Sequence, residues 1–227
     1  MLFWDFHGTI TKPDILWFDA AMEAAAEAVP EAPLNAAVLH RQFSHTCLPW
    51  FTIPGGDTRH ITGAAWWAYC EGQFAAMFQS CGFTAAQAAA IAPRLREKVL
   101  QPHRYHLQPD ALFTLKELQR RGYESHILSN NFPELAQMVK ALGLVPYFGK
   151  VLVSGNVGYD KPRGEIFDAA RSVAGQARAL WMIGDNPVDD VAGGNAAGFV
   201  TVAANGAAAP DAAYQIPNLA GLLELLP

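Results

Sequence analysis

The chain has 227 residues, of which 51% are hydrophobic and 16% are charged. This composition excludes a disordered chain, and the length suffices for one substantial core with an elaboration. The net charge of −5 and the lack of a basic run argue against binding to nucleic acid or to an anionic membrane. No apolar run is long enough to cross a bilayer or resembles a secretion signal, so we expect a cytoplasmic protein without a membrane partner.

Five short apolar segments bounded by turn residues are predicted to form buried parallel strands. They span residues 2–6, 123–129, 150–154, 179–185 and 198–204. Helical patterns occupy residues 109–122 and 133–143, and each begins near a proline and ends near a glycine. The alternation of strands and helices predicts an α/β core with a Rossmann-like, doubly wound parallel sheet.

The long segment after the first strand does not follow this alternation and has a mostly helical pattern. Helices are predicted at 14–29, 34–45 and 61–82, followed by two further helical pieces up to about residue 100. A loop rich in proline and glycine, at 47–59, interrupts them. We therefore predict an inserted all-α cap domain at residues 13–104, within a catalytic core formed by residues 1–12 and 105–227.

Polar residues occur at or just after the ends of the predicted strands. Asp5 lies in WDFHGT, Ser129 in ILSNN and Lys161 in YDKPRGEIF, whereas Asp185 and Asp190 lie in GDNPVDD. Open parallel sheets bind their ligands at the carboxyl ends of the strands. We expect these side chains to meet at one edge of the sheet.

These residue types suit phosphoryl transfer. A carboxylate is ionised at neutral pH and is a competent nucleophile, but an anionic phosphate repels it. Mg²⁺ held by Asp5 and Asp185 would remove that repulsion. Lys161 adds a positive charge, and Ser129 with the backbone N–H groups after it can donate hydrogen bonds to phosphoryl oxygens.

The four motifs, in this order, resemble those of the haloacid dehalogenase superfamily. Its phosphatases carry DxDGT, a Ser or Thr after the second strand, a Lys often followed by Pro, and GDxxxxD. The resemblance covers residues 1–12 and about 105–205. The insertion is similar to the helical cap found in phosphoglycolate phosphatases and dehalogenases.

The resemblance implies roles for individual residues. Asp5 would form a phosphoaspartyl intermediate, and the backbone carbonyl of His7 would join Asp5 and Asp185 around Mg²⁺. Asp190, with or without Asp189, would support the metal through water. Ser129 would bind the phosphoryl group, and Lys161 would hold it next to Asp5. We also predict that four residues bind the substrate: Gly8, Thr9, Asn130 and, from the loop of the insertion, Arg59.

His7 departs from the family pattern, because phosphatases of the family have a second aspartate there. His7 can replace that aspartate as the general acid and base, since an imidazole has a pKa of about 6.5. The change can instead mark an impaired phosphate- and Mg²⁺-binding pseudoenzyme, or a 2-haloacid dehalogenase-like reaction. Retention of Asp185 and Asp190 argues against the last, because the dehalogenases need no Mg²⁺.

The sequence thus predicts a Mg²⁺-dependent phosphoric monoester hydrolase, acting on a small phosphorylated metabolite as a monomer or homodimer. Trp17 and Phe18 are the aromatic residues expected to touch the substrate, because they follow the first motif closely. The aromatic residues of the long helical segment are expected to pack between helices instead; these are Trp66, Trp67, Tyr69, Phe74 and Phe78.

Overall fold

The computed structural model describes residues 1–13, 16–32 and 34–226. Within these ranges, no helix combines the length and the apolar character that crossing a membrane requires.

A parallel sheet forms the centre of the molecule. In chain order its strands are β1 Leu2–Trp4, β2 Ser125–Ser129, β3 Val151–Val153, β4 Trp181–Gly184, β5 Val200–Ala203 and β6 Tyr214–Gln215. Their order across the sheet is β3-β2-β1-β4-β5-β6, and every pairing is parallel. The direction of winding reverses at β1, which pairs with β2 on one side and β4 on the other. A doubly wound sheet has its ligand crevice at this point.

The core helices cover the sheet. They are α6 Ala111–Arg120, α7 Leu135–Ala141, α8 Ser154–Val157, α9 Gly164–Ala174, α10 Gly193–Ala196 and α11 Leu222–Leu225, with a π-helical turn at Pro187–Ala192. β1 is fully buried, and Leu115, Leu118 and Phe167 are among the helix residues buried in the core. The α/β Rossmann-like fold predicted from the sequence is confirmed.

The insertion is helical. Its helices are α1 Leu16–Ala28, α2 Ala36–Thr46, α3 Pro49–Thr52, α4 Ala64–Ser80 and α5 Ala85–Val99. α5 packs against both α1 and α4, and α2 packs against α1 and α4. Trp66, Trp67, Phe74 and Phe78 are buried, which confirms that these rings have a packing role. Trp66 and Trp67 also pack against Phe132 of the core.

The chain enters and leaves the insertion at neighbouring points. The N–H of Lys12 donates to the carbonyl of His106 over 2.8 Å, and the N–H of Gln108 donates to that of Ile10 over 2.9 Å. These bonds lie close to residues 13 and 104, where the sequence placed the boundaries of a cap. The division into two domains remains a prediction that this geometry favours.

A second contact joins the insertion to the core. Residues 56–58 and 158–160 form a short antiparallel pairing, which we call the ribbon. The N–H of Thr58 donates to the carbonyl of Gly158, and the N–H of Asp160 donates to that of Gly56, both over 2.9 Å. The guanidinium groups of Arg59 and Arg163 both lie over the ring of Tyr159.

Three elements differ from the sequence predictions. The first is α3, which lies within residues 47–59, where a loop was expected. α5 continues through Pro93, where two separate helical pieces were expected. A proline inside a helix costs about 3 kcal/mol. Ile91 and Leu95 are fully buried on either side of it, and a capping box of Thr84 and Gln87 starts the helix. Packing and capping therefore offset the cost of the proline. β6 was not predicted, because its two residues are exposed and carry no strand pattern.

Candidate active site

A cavity of about 270 Å³ opens at the carboxyl ends of β1, β2 and β4, between the sheet and the insertion. The core lines it with polar side chains: Asp5, His7, Ser129, Asn130, Lys161, Asp185, Asn186, Asp189 and Asp190. All the predicted catalytic residues and the predicted metal ligands are in this set. Of the four residues predicted to bind substrate, Asn130 also lines the cavity.

Asp5 and Lys161 are buried together at the bottom of the cavity. The ammonium of Lys161 donates to Oδ1 of Asp5 over 2.7 Å and to Oδ1 of Asp190 over 2.5 Å. Only 4% of Lys161 is exposed. Burial lowers the pKa of Lys161, but the charges of Asp190 and Asp5 outweigh it and leave that pKa raised. The lysine therefore stays charged next to the candidate nucleophile.

Asn130 fixes the backbone of Lys161. Its Oδ1 accepts the Lys161 N–H over 2.7 Å, and its Nδ2 donates to the Lys161 carbonyl over 3.0 Å. Nδ2 also reaches the carboxylate of Asp189 at 3.4 Å. Asn130 thus positions the lysine as well as lining the cavity.

Ser129 ends β2 and is almost completely buried at the cavity wall. The side-chain amide of Asn131 donates to Oγ of Ser129 over 3.4 Å. The N–H of Asn131 in turn donates to Oγ of Ser154, and the N–H of Phe132 donates to the side chain of Asn131. These bonds hold the loop after β2 and keep the Ser129 side chain at the wall of the cavity.

Three carboxylates form a cluster that suits a divalent cation. One oxygen each of Asp5, Asp185 and Asp190 lies within 4.8 Å of the others. Burial and the charge of Asp5 raise the pKa of Asp185 to about 6, against a hydrogen bond from Thr9. Burial raises the pKa of Asp190 as well, and the ammonium of Lys161 opposes that rise. Carboxylate oxygens are ligands that Mg²⁺ prefers, and the ion would offset the repulsion between the ionised groups.

Two glycines allow these carboxylates to lie against the backbone. A Cβ at Gly184 would be 2.1 Å from Cγ of Asp190, and one at Gly8 would be 2.3 Å from Oδ2 of Asp185. Gly8 also has a φ of +81°, which other residues rarely adopt. The sequence assigned Gly8 to the substrate, but the group that it approaches is Asp185.

Asn205 holds the turn that follows β1, and the sequence gave no functional prediction for it. Its Nδ2 donates to the carbonyls of Gly8 and Thr9, over 2.8 and 3.0 Å. Asn205 has a φ of 57°, a conformation that asparagine tolerates better than most residues. The Asn-Gly pair just after the last long strand was the available signal, but it indicates only a turn.

Thr9 and Arg59, both predicted to bind substrate, lie outside the cavity lining. Thr9 is fully buried, and its hydroxyl donates to Oδ1 of Asp185 over 3.0 Å, so it supports the carboxylate cluster instead. Arg59 directly follows the first strand of the ribbon, and its guanidinium pairs with Asp57 at 2.7 Å. That pairing, and the stacking on Tyr159, keep Arg59 on the outer surface.

Of the two aromatic residues expected to touch the substrate, one lines the cavity and the other does not. Trp17 lines the cavity, as expected. Phe18 faces α2 and packs edge-on against His40, with 5.5 Å between the ring centroids. Because consecutive residues of an α-helix point about 100° apart, Trp17 and Phe18 lie on different faces of α1.

Comparison with known sequences assigns the chain to a family. The profile of the haloacid dehalogenase-like hydrolases matches residues 1–198. The chain belongs to this family of hydrolases.

Phosphatases are among the curated relatives of this haloacid dehalogenase-like hydrolase. Phosphoserine phosphatase of Thermus thermophilus is 31% identical over 217 residues, covering 92% of this chain and 83% of the relative. Human haloacid dehalogenase-like hydrolase domain-containing protein 3 is 30% identical over 181 residues, covering 75% of this chain and 71% of that protein.

Solved structures of the family share the fold. The HAD-hydrolase YfnB of Bacillus subtilis, bound to magnesium, superimposes with a TM-score of 0.73, at 21% identity over 99% of this chain and 97% of that one. A 2-haloacid dehalogenase of Pseudomonas syringae gives a TM-score of 0.69, at 23% identity over 99% and 96% of the two chains. At these identities the likeness concerns the fold alone.

His7 is half-buried at the cavity, where this family's phosphatases were expected to carry an aspartate. Its ring centroid lies 5.5 Å from that of Phe6 and 5.6 Å from that of Tyr105. Neither Phe6 nor Tyr105 lines the cavity, so these contacts hold the imidazole at the cavity's edge, and its Nε2 is buried. The role of His7 as acid, base or metal ligand remains a prediction.

Proposed function

We propose that this haloacid dehalogenase-like hydrolase is a Mg²⁺-dependent phosphoric monoester hydrolase for small phosphorylated metabolites. The observation that carries the proposal is the meeting of Asp5 with a buried lysine and a carboxylate cluster in a single cavity. The phosphatases among its relatives support the same reaction class.

In the first step, the Asp5 carboxylate attacks phosphorus and the bond between phosphorus and the leaving oxygen breaks. The products are a phosphoaspartyl group and an alkoxide, which takes a proton from His7 as it leaves. Lys161 keeps its ion pair with Asp5 in the ground state and offers the same charge to the phosphoryl oxygens. Ser129 donates its hydroxyl hydrogen to one of those oxygens.

In the second step, water attacks the phosphoaspartyl group while His7 accepts a proton from it, which releases phosphate and regenerates Asp5. Asp5, Asp185 and Asp190 are the side chains that would hold Mg²⁺. Bound there, the ion would neutralise part of the phosphoryl charge. The insertion acts as a cap in this proposal and limits the access of bulk water during transfer.

The direct test is hydrolysis of para-nitrophenyl phosphate from pH 5 to 9, with Mg²⁺ or with EDTA. This leaving group needs little protonation, so formation of the phosphoaspartyl group from this ester depends on Asp5 and the metal rather than on proton donation by His7. We expect turnover that requires Mg²⁺ and falls by more than about 10³-fold in Asp5→Asn, as for removal of a nucleophile.

Asp168→Asn is the matched control, because the side chain of Asp168 is 76% exposed on α9, away from the cavity. It should retain the activity of the unmodified protein. Turnover equal in Asp5→Asn and the unmodified protein, or absent from both at every pH, would contradict the proposed function. The second result would favour a phosphate-binding protein that lacks catalysis.

A further inference from the structure

The two walls of the cavity differ in chemistry. The wall from the core carries four carboxylates and the ammonium of Lys161. The wall from the insertion, which we call the roof, is apolar at every lining position that the structure describes. Its residues are Pro13, Leu16, Trp17, Leu48, Trp50 and Phe51.

The rings of Trp17 and Trp50 in the roof pack against other aromatic side chains of the insertion. The Trp17 ring centroid lies 6.2 Å from that of Trp67 and 6.1 Å from that of Phe74. Trp50 packs at 6.3 Å from Trp66. Rings held in this way keep their apolar faces at the cavity and do not need to be ordered by a substrate.

Hydrogen bonds also fix α3, the helix that presents Trp50 and Phe51. The hydroxyl of Tyr69 donates to Oγ1 of Thr52 over 2.7 Å, and Oγ1 of Thr52 donates to the carbonyl of Leu48 over 2.9 Å. Phe51 itself is 52% exposed, so its ring borders the mouth of the cavity. The roof is therefore preformed in its deeper part and open at Phe51.

In the part of the insertion that the structure describes, no basic side chain lines the cavity. Many of its basic residues form ion pairs elsewhere. The pairs are Arg59 with Asp57, Arg94 with Glu27, Arg96 with Glu134, Lys98 with Glu27 and Arg104 with Glu23. A carboxylate on the leaving group of a substrate would find no cation at the roof.

We infer that the enzyme takes phosphate monoesters whose leaving group is a compact apolar alcohol or phenol. This inference rests on the proposed function and names the substrate class of the same site. The charged wall takes the phosphoryl group, and the roof removes the apolar part of the leaving group from water. The amino and carboxylate groups of phosphoserine would lose hydration there without gaining partners. The cavity volume of about 270 Å³ is just below the roughly 300–1,000 Å³ of ligand pockets and restricts the leaving group to a small one.

The first test compares esters that differ in polarity but not in the type of leaving group. n-Butyl phosphate and benzyl phosphate are set against O-phosphoserine and phosphoglycolate, all monoesters of primary alcohols. We expect kcat/KM for the apolar pair to exceed that for the charged pair by at least about tenfold, the smallest effect typical of one methylene in an apolar pocket. A charged ester that equals or exceeds the apolar pair would overturn the inference.

para-Nitrophenyl phosphate, assayed in parallel with Asp5→Asn, separates this failure from failure of the proposed function. Asp5-dependent turnover together with a preference for charged esters would contradict only the inference of an apolar substrate class. Loss of Asp5-dependent turnover on every ester would sink the proposed function, and the inference with it.

The second test changes the roof at Phe51, which is exposed enough to be replaced without opening the core. Phe51→Ala should lower kcat/KM for benzyl phosphate by about tenfold or more and change that for methyl phosphate little, because a methyl group has little surface to bury. Phe51→Arg should raise the ratio of phosphoglycolate to benzyl phosphate turnover. Phe113→Ala is the control, since Phe113 is 63% exposed on α6, outside the cavity. An unchanged ester preference in both Phe51 variants would contradict a role of the roof in specificity.

Discussion

At the residue scale, Lys161 shows how the site is kept charged. A buried ammonium is costly unless carboxylates surround it, and removal of one partner leaves an uncompensated charge. Here Asp5 and Asp190 both contact it, and Asn130 holds its backbone on both sides of the residue. The candidate nucleophile Asp5, the lysine and the carboxylate cluster are therefore one coupled unit, in which no member can be changed without affecting the others.

His7 is the residue whose role decides how fully the proposed chemistry operates. If it transfers the proton, His7→Asn should lower kcat/KM on n-butyl phosphate by about 10²- to 10⁴-fold. para-Nitrophenyl phosphate should be affected much less, because its leaving group departs without a proton. The measurement is kcat/KM on both esters for the unmodified protein, His7→Asn and His7→Asp.

His7→Asp serves as the comparison, because it restores the carboxylate of the family pattern and leaves the backbone carbonyl in place. Retention of most activity is expected. A large gain in His7→Asp over the unmodified protein would show instead that the native site is impaired. Equal activity of His7→Asn and the unmodified protein on n-butyl phosphate would exclude His7 as the acid.

At the element scale, the ribbon buries a carboxylate between the insertion and the core. Asp160 is 2% exposed, and neither of its oxygens makes a well-aligned hydrogen bond with a residue that the structure describes. Burial raises the pKa of Asp160 to about 6; Ser154 and Lys161 oppose the rise and Asp189 adds to it. The ribbon is therefore held together by backbone bonds and by the rings and guanidinium groups around Tyr159, at the cost of a poorly solvated acid.

Because the pKa of Asp160 is raised in the folded state, its contribution to the free energy of unfolding should fall as pH rises. Below about pH 4, Asp160 is protonated in both the folded and the unfolded chain and has no effect. Above about pH 6 it is ionised in both, and the folded state carries the full cost, about 2–3 kcal/mol. Asp160→Asn lacks this cost, so its free energy of unfolding relative to the unmodified protein should be higher at pH 7.5 than at pH 4.5.

Urea unfolding in EDTA at the two pH values measures this difference. The other buried carboxylates titrate in both proteins, so their contributions cancel in the comparison. Asp168→Asn should show no such dependence, because its side chain is exposed. A difference between Asp160→Asn and the unmodified protein that is the same at both pH values would contradict the raised pKa.

At the scale of the whole molecule, the residues that follow strand ends were predictable and those that depend on the insertion were not. Asp5, Ser129 and Lys161 could be found because each follows an apolar run, and parallel strands bring such positions to one edge. The buried placement of Thr9 and the outward placement of Arg59 depend on contacts with Asp185 and Tyr159, which lie far away in the sequence. Of the roof, the sequence predicted Trp17, and its other residues were missed because short apolar runs in a helical segment look like core.

Metal binding should couple the cavity to the stability of the whole chain, because Asp5 and Asp185 meet only in the folded state. At Mg²⁺ concentrations near 100 times Kd, ligand linkage adds about 2.7 kcal/mol, which corresponds to a rise in Tm of roughly 5–10 °C for a chain of this size. Asp185→Asn should lose most of this rise, as followed by thermal unfolding with and without Mg²⁺. Asp168→Asn should keep it, and an equal rise in Asp185→Asn would exclude the cluster as the cation site.

The central position of β1 has a consequence for the synthesis of the protein. Trp4 hydrogen-bonds to Ser125, 121 residues away, and Asp5 meets Lys161 at a separation of 156 residues. During translation, the apolar residues of β1 leave the ribosome long before β2 and β4 exist to cover them, and contacts of such high order form slowly. During synthesis β1 is therefore open to non-native contacts or to chaperones, and the cavity at its end is complete only once Asp190 has been made.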